Sequence, residues 1–296
     1  MITLLRVDFL ADKLKKLEKN INKGSSGTLT VVAGSKFYRG AADLSVGAAL
    51  RTGCGMVRLV SIEKVVSLVA VRHPSCVFLP TDETDEGMIS ATVNADIAAV
   101  SKKSTAFLVG PGLGISTSTA AVVSAVADFS DKTVIDADAI NIISQNKELL
   151  NTFKKPFVIT PHIGEMSRLT GLSIEEIKKD RAGVAKRFSL ENNCVTVLKD
   201  DVVYISSEKG KIYESRLGNE GLAKGGSGDV LSGFIAGFMA NGYSAEDSAI
   251  IGAVLHGLSA EKCAAEKGKR AMLPSELEEY AVRVLKKSDD EKIYND

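Results

Sequence analysis

The sequence predicts an α/β protein: a mainly parallel sheet with helices on both faces. Three observations lead there. Short apolar, β-rich runs alternate with stretches of helical periodicity along most of the 296 residues. Hydrophobic residues make up 45% of the chain while tryptophan is absent and aromatics are 5%, so the layers must be filled by Ala, Val, Leu and Ile. Glycine-bearing or polar turns follow the strands, which gathers the candidate functional loops along one sheet edge. No linker or repeat interrupts the pattern, and 1–296 reads as one domain.

Taken in order, 1–23 is a leading segment whose apolar positions Phe9, Leu10, Leu14, Leu17 and Ile21 give an amphipathic helix over 8–23. A strand at 28–33 ends in Gly34-Ser35, and a helix with a small-residue face covers 39–50. Such a face suits close packing, and it equally leaves room for a flat ligand at the helix start. Strands follow at 56–61 and 76–79 around a helix at 63–72, and 81–86 is an acidic surface loop. The strand at 106–109 enters Gly110-Pro111-Gly112-Leu113-Gly114 and then a helix over 116–127. The spacing is not that of a dinucleotide fingerprint, so a tight turn and a binding loop both fit.

The strand beginning at Thr133 ends in Asp136-Ala137-Asp138. Asp138 reads as a cap for a helix starting near Ala139, whereas Asp136 is free to face a site. The next strand ends in Thr160-Pro161-His162-Ile163-Gly164-Glu165, where His162 is as readily a packed residue as a functional one. A charged helix is expected over 173–190 and strands at 195–199, 202–206 and 211–214. Two long helices follow to about 266, Pro274 opens a terminal helix reaching about 287, and 288–296 reads as a frayed tail.

The totals exclude several classes. Lys+Arg and Asp+Glu are both 37, so no net field draws the chain to nucleic acid or a membrane. The four cysteines are scattered without a C-x-x-C pair, which argues against a zinc site or disulfide framework and for reduced thiols. Neither a signal peptide nor an apolar run of transmembrane length is seen, and a cytoplasmic protein is expected.

The most informative stretch is Asn219 to Gly233. Gly225-Gly226-Ser227-Gly228 leads into a small, apolar helix with Asp229 at the junction. An aspartate at a helix start is a good cap, but capping does not call for three glycines in four residues. Glycines allow positive φ and close backbone approach, and a helix N-terminus offers unpaired N–H groups, so the loop suits a phosphate. It is not a P-loop, because Gly-x-x-x-x-Gly-Lys-Ser/Thr is absent.

Together these motifs resemble the ADP/ATP-dependent NAD(P)H-hydrate dehydratases of the ribokinase-like superfamily. The pieces are Val32-Ala33-Gly34-Ser35 with Gly40-Ala41-Ala42, then Gly110 to Gly114, Asp136 to Asp138, Thr160 to Glu165, Leu198-Lys199, and Gly218 to Asp229. They run in the family's order from residue 27 to about 286. The resemblance implies a ribokinase-like three-layer sandwich. It also implies repair of damaged nicotinamide cofactor: the S-form of NADHX or NADPHX is phosphorylated on its ring hydroxyl by ADP or ATP, and phosphate is eliminated to restore NADH or NADPH. In that scheme Asp229 takes the hydroxyl proton, and Gly226, Ser227 and Gly228 present N–H groups to phosphate. Lys199, Asp200, Asp201, Val202 and Val203 lie near the nucleotide with Gly228. Ala41, Ala42, Gly112 and His162, with Asp229, line the hydrate side, and Glu165 helps organise Mg²⁺, largely through water. The Asp200-Asp201 pair departs from the Lys-Gly and following Thr common in the family. A homo-oligomer, a tetramer by expectation, is implied, as is a separate NAD(P)HX epimerase in the same pathway.

Two other readings compete. A kinase of a small hydroxymethyl substrate, such as a thiazole or pyrimidine alcohol, would release a phosphorylated product. A nucleotide sensor would bind without turnover, yet has no need of a base at Asp229.

Overall fold

The computed structural model describes residues 2–15 and 26–294. Ten strands form one sheet: β1 (Ile2–Leu4), β2 (Thr28–Val32), β3 (Met56–Ile62), β4 (Val77–Thr81), β5 (Ala106–Val109), β6 (Thr133–Ile135), β7 (Val158–Ile159), β8 (Val195–Leu198), β9 (Val203–Ser206) and β10 (Ile212–Ser215). Their spatial order is β1-β10-β9-β8-β7-β6-β5-β2-β3-β4. From β4 across to β8 every pairing is parallel; β9 runs antiparallel to both its neighbours. The chain leaves β2 toward β3 and β4, then returns to place β5 on the other side of β2. The carboxyl ends of β2 and β5 therefore flank a topological switch point, the usual place for a ligand crevice.

The helices are α1 (Asp8–Lys13), α2 (Arg39–Leu50), α3 (Glu63–Arg72), α4 (Asn94–Ser101), α5 (Thr117–Phe129), α6 (Asp138–Gln145), α7 (Ile163–Thr170), α8 (Ile174–Lys179), α9 (Arg181–Asn192), α10 (Ser227–Ala240), α11 (Ala245–Lys267) and α12 (Leu277–Tyr294). α10 contacts α2, α11, β2, β5 and β6, while α4 to α9 follow one another along the other face, which completes three layers. Strands β5 to β8 are buried along their whole length, the continuous apolar pattern of a parallel sheet covered twice.

The small-residue face of α2 now has a definite use. A Cβ at Gly233 would meet Ser45 O at 2.5 Å and Ala48 Cβ at 2.9 Å, and one at Gly237 would meet Thr52 Oγ1 at 2.3 Å. Glycines one turn apart on α10 thus let it lie against α2 almost backbone to backbone. α10 is buried nearly all round, as an apolar central helix must be.

Four expectations need correction. The helix expected over 173–190 is two helices, because Asp180 leaves the α region and caps α9, accepting the Gly183 N–H at 2.9 Å. α1 stops at Lys13, and 16–23 of the expected leading helix lies outside the described residues. The terminal helix runs on to Tyr294, through most of the stretch read as a tail; 295–296 lie outside the described residues. α4 and the edge strand β1 were not expected from periodicity.

Candidate active site at the carboxyl edge of the sheet

At the switch point the turns after β2 and β5 are tied together: Gly34 N–H donates to Pro111 O at 2.8 Å. Gly112 has φ +62°, and a Cβ there would lie 2.7 Å from Tyr38 Cβ and 2.8 Å from Ala41 Cβ. Gly112 and Ala41 therefore meet where the two turns pack. Their contact also shows that Gly112 is needed for packing of the two turns. Ala42 is a correction: it is wholly buried near Gly34, a core methyl and not a crevice wall.

Asp136, at the end of β6, is 1% exposed. Its Oδ1 accepts from Thr160 Oγ1 at 2.7 Å and from Lys199 Nζ at 2.8 Å, while its Oδ2 is buried with no protein partner. Asp138 does not cap α6. It is the first residue of that helix, and its Oδ2 accepts the Gly114 N–H at 2.8 Å, pinning the glycine turn to α6.

His162 is the N-cap of α7. Its Nδ1 accepts the N–H groups of Gly164 (2.9 Å) and Glu165 (3.3 Å), while Glu165 Oε2 accepts the His162 N–H at 2.8 Å. This reciprocal capping box fills the helix end with the protein's own groups. The His162 side chain remains about half exposed, with Nε2 3.5 Å from Glu165 Oε1.

Lys199 leaves β8 beside this turn, donating its N–H to Pro161 O at 2.9 Å, and its ammonium reaches under the glycine loop. A Cβ on Gly228 would come within 3.2 Å of Lys199 Nζ. The acidic pair that follows is directed elsewhere: Arg181 bonds Asp200 at 2.8 Å and also Asp201, and Asp201 Oδ1 accepts the Val202 N–H. Of the 199–203 stretch, only Lys199 is drawn into the inner cluster; Val202 and Val203 stand half-buried at the β8–β9 turn.

The glycine loop is anchored at both ends. Asn219 Nδ2 donates to Ala260 O at 3.0 Å, Gly218 N–H to Glu261 Oε1 at 3.1 Å, and Lys224 Nζ to Arg270 O at 2.7 Å. Gly226, φ +99°, is the N-cap of α10 and has no side chain to cap with; Asp229 is the third residue of the helix. The Ser227 N–H turns back to Lys224 O at 3.3 Å, so it is not one of the open donors the sequence suggested. The N–H groups of Gly226, Gly228 and Asp229 find no acceptor among the described residues. They form an open anion-binding end with a carboxylate at its edge.

Burial pushes the Asp229 carboxyl up to about 7, with Asp136, Asp138 and Glu165 adding to the rise and Lys199 opposing it. Burial also raises Glu165, again against Lys199. For Lys199, burial works against the charge, but Asp136 and Glu165 outweigh it and hold the ammonium above the ordinary lysine value. The His162 imidazole is lowered by burial and by Lys199 and Arg168. A base poised near neutrality beside unpaired donors and a fixed cation is the arrangement for accepting a hydroxyl proton while phosphate charge is neutralised. Thr160, Arg181 and His256 were not singled out from sequence. Thr160 was legible as the residue just after β7, ahead of the His-Glu turn.

The sequence matches the family model for NAD(P)H-hydrate dehydratase over residues 29–283. The chain is 34% identical over 266 residues to the bifunctional NAD(P)H-hydrate repair enzyme of Thermofilum pendens, covering 90% of this chain and 51% of that protein. It thus spans about half the length of the bifunctional relatives it matches. Against the ADP-dependent (S)-NAD(P)H-hydrate dehydratase of Neisseria meningitidis it is 32% identical, covering 83% of this chain and 80% of the other. The solved structure of the Bacillus subtilis ADP/ATP-dependent NAD(P)H-hydrate dehydratase, co-crystallised with ATP and Mg²⁺, superposes with a TM-score of 0.84 at 28% identity, over 97% of this chain and 99% of that one. The fold, the ordered motifs and these likenesses agree, and the chain belongs to the NAD(P)H-hydrate dehydratase family.

Proposed function

We propose that this chain restores NADH or NADPH from the S-form of the corresponding hydrate, consuming ADP or ATP. The observation that carries the reading is the juxtaposition of the Asp229 carboxylate with the open N–H groups of Gly226 and Gly228. The ring hydroxyl oxygen attacks the terminal phosphoryl group, forming a new O–P bond as the bond to the nucleotide breaks, and Asp229 receives the proton. The N–H groups and Lys199 hold the charge of the transferring phosphoryl group. The C–O bond to phosphate then breaks, a proton leaves the adjacent ring carbon for water, and the ring double bond that forms regenerates the reduced cofactor. Ala41, Gly112 and His162 border the hydrate, and the nucleotide lies toward Lys199 and Gly228.

Mg²⁺ fits the residues present in one respect. Glu165 and the unpartnered Oδ2 of Asp136 are hard carboxylate oxygens, although no three His, Cys, Asp or Glu side chains converge on one point among the described residues. Magnesium needs few direct ligands. Bound there through water, it would supply further neutralisation of the nucleotide phosphates.

Among the described residues no helix is long and apolar enough to cross a membrane. A cytoplasmic location, a homo-oligomer and an NAD(P)HX epimerase acting in the same pathway belong to the same proposal.

The test is incubation with NADHX, Mg²⁺ and either ADP or ATP, following the return of NADH absorbance and the release of inorganic phosphate. Both should appear together and depend on nucleotide. Full turnover without nucleotide, or a product that keeps the phosphate, overturns the reading; the second outcome is that of the small-alcohol kinase.

A further inference from the structure

His256 lies in the middle of α11 and is 9% exposed, and nothing in the scheme above uses it. Its Nε2 is 3.4 Å from Ser227 Oγ, whose own residue is 7% exposed. The Ser227 hydroxyl therefore points inward, away from any ligand in the crevice, and meets a buried ring. Burial lowers the imidazole to about 4, with a backbone hydrogen bond to Ser227 opposing and Lys199 assisting. A neutral ring keeps one nitrogen as an acceptor, and a hydroxyl can donate to it.

The neighbours of His256 on α11 hold the other end of the same loop. Gly257 packs under Leu217, since a Cβ there would be 2.6 Å from Leu217 Cβ, and Ala260 O, one turn on, accepts from Asn219 Nδ2. A single face of α11 thus grips the segment where it enters, at 217–219, and where it becomes α10, at Ser227. Between those grips Glu220 to Leu222 form a 3₁₀ turn and Lys224 is held by Arg270 O, which leaves Gly225 and Gly226 as the permissive residues next to Ser227.

We propose that His256 is a positioning residue for the anion-binding end of α10: it accepts a hydrogen bond from the Ser227 hydroxyl and so fixes the flanking N–H groups of Gly226 and Gly228 toward the phosphoryl group. The inference rests on the phosphoryl-transfer reading for its kinetic consequence, but its structural half does not. His256 touches neither substrate nor nucleotide in this scheme and acts through Ser227.

Three variants test it: His256→Leu removes the acceptor, His256→Gln retains an acceptor at about the same reach, and Ser227→Ala removes the donor. His256→Leu should lower kcat about fivefold to tenfold, the size of one lost hydrogen bond, with little change in KM for the hydrate. Ser227→Ala should match it, the double variant should be no worse than either alone, and His256→Gln should recover most of the loss. Amide hydrogen exchange without substrates gives an independent readout: protection at Ser227 and Val230, whose N–H groups are bonded to Lys224 O and Gly226 O, should fall in His256→Leu and Ser227→Ala and return in His256→Gln. Unchanged exchange in those two variants, or equal losses in His256→Leu and His256→Gln, overturns the proposal. If the unsubstituted enzyme fails to regenerate NADH, the dehydratase reading fails while the exchange comparison still decides this one.

Discussion

Two helices begin at the same edge of the sheet, a few ångströms from the same lysine, and they treat their N-termini in opposite ways. α7 fills its own end: the His162 imidazole and the Glu165 carboxylate together take the N–H groups of Gly164, Glu165 and His162. α10 begins with a glycine that has no side chain, and the N–H groups of Gly226, Gly228 and Asp229 are left without acceptors among the described residues. Both ends carry the same dipole, so the dipole alone does not mark a site. The difference lies in whether the sequence supplies its own acceptors. The acidic residue also plays different parts: Glu165 serves the cap, whereas Asp229 stands beside open donors and makes no capping bond. Four tests sharpen or break this contrast.

The largest effect should come from Asp229→Asn. Removing a general base typically costs about 10²–10⁴-fold in rate, and nucleotide binding should survive because the open N–H groups remain. Stability should move the other way. The folded-state pKa of Asp229 is raised to about 7 from the ordinary 3.8, so its contribution is fully present below pH 3.8 and is lost as the pH rises through 7. At pH 8 the carboxylate is an ionised buried group, and the neutral amide should melt no lower. For the unsubstituted enzyme the same pKa predicts that kcat/KM falls below about pH 7, approaching tenfold per pH unit. A flat profile between pH 5.5 and 8 would remove Asp229 from the role of base.

Next comes Lys199→Met. Asp136 is buried, and half of its carboxylate already lacks a protein partner. Taking away one member of such a pair typically costs about 3–5 kcal/mol, to be read as a lower urea midpoint at pH 7. Asp136→Asn combined with Lys199→Met should recover part of that loss, because the charge left behind disappears. If the single change costs under about 1 kcal/mol, the pair is not the buried anchor the geometry indicates.

The contrast between the two helix ends explains what was legible in the sequence. Gly225 to Asp229 could be read because glycine spacing and the following apolar helix are local signals, and the alternation of strands and helices likewise displayed the three-layer fold. His162 and Glu165 were equally visible, but a cap and a site use the same residue types, and only hydrogen-bond partners separate them. What stayed hidden depends on contacts distant in the chain. Arg181 neutralises Asp200 and Asp201 across 19 and 20 residues, and His256 reaches Ser227 across 29. Ala42 looked like its neighbour Ala41 because a one-residue step on a helix changes burial completely while the residue type stays the same. The break at Asp180 was readable in principle, as an aspartate ahead of Gly183 in an otherwise continuous helical pattern.

A smaller effect is expected from Gly228→Ala. The added methyl would come within 3.2 Å of Lys199 Nζ, close enough that the ammonium must give way. The backbone itself is helical there and tolerates alanine. Folding should be nearly unchanged while KM for the nucleotide rises about tenfold, the cost of about 1.4 kcal/mol at one binding group. Unaltered nucleotide affinity would mean that the phosphate does not approach this end of α10.

The mildest change, and the one that separates cap from site at α7, is His162→Ala. As a cap, His162 should be worth about 1 kcal/mol, which for a domain of this size is a melting temperature lower by about 2–4 °C. His162→Asn should restore that loss, since asparagine is itself a good N-cap. As a wall of the hydrate site, the same half-exposed ring should also affect KM for the hydrate while leaving nucleotide affinity alone, and asparagine would not restore that contact. The two roles are compatible, so the pair of variants is needed. Recovery of both melting temperature and KM in His162→Asn would make His162 a cap only; recovery of melting temperature with KM still raised places the ring against the substrate. In the first case α7 is closed to ligands altogether, and the contrast with α10 is complete.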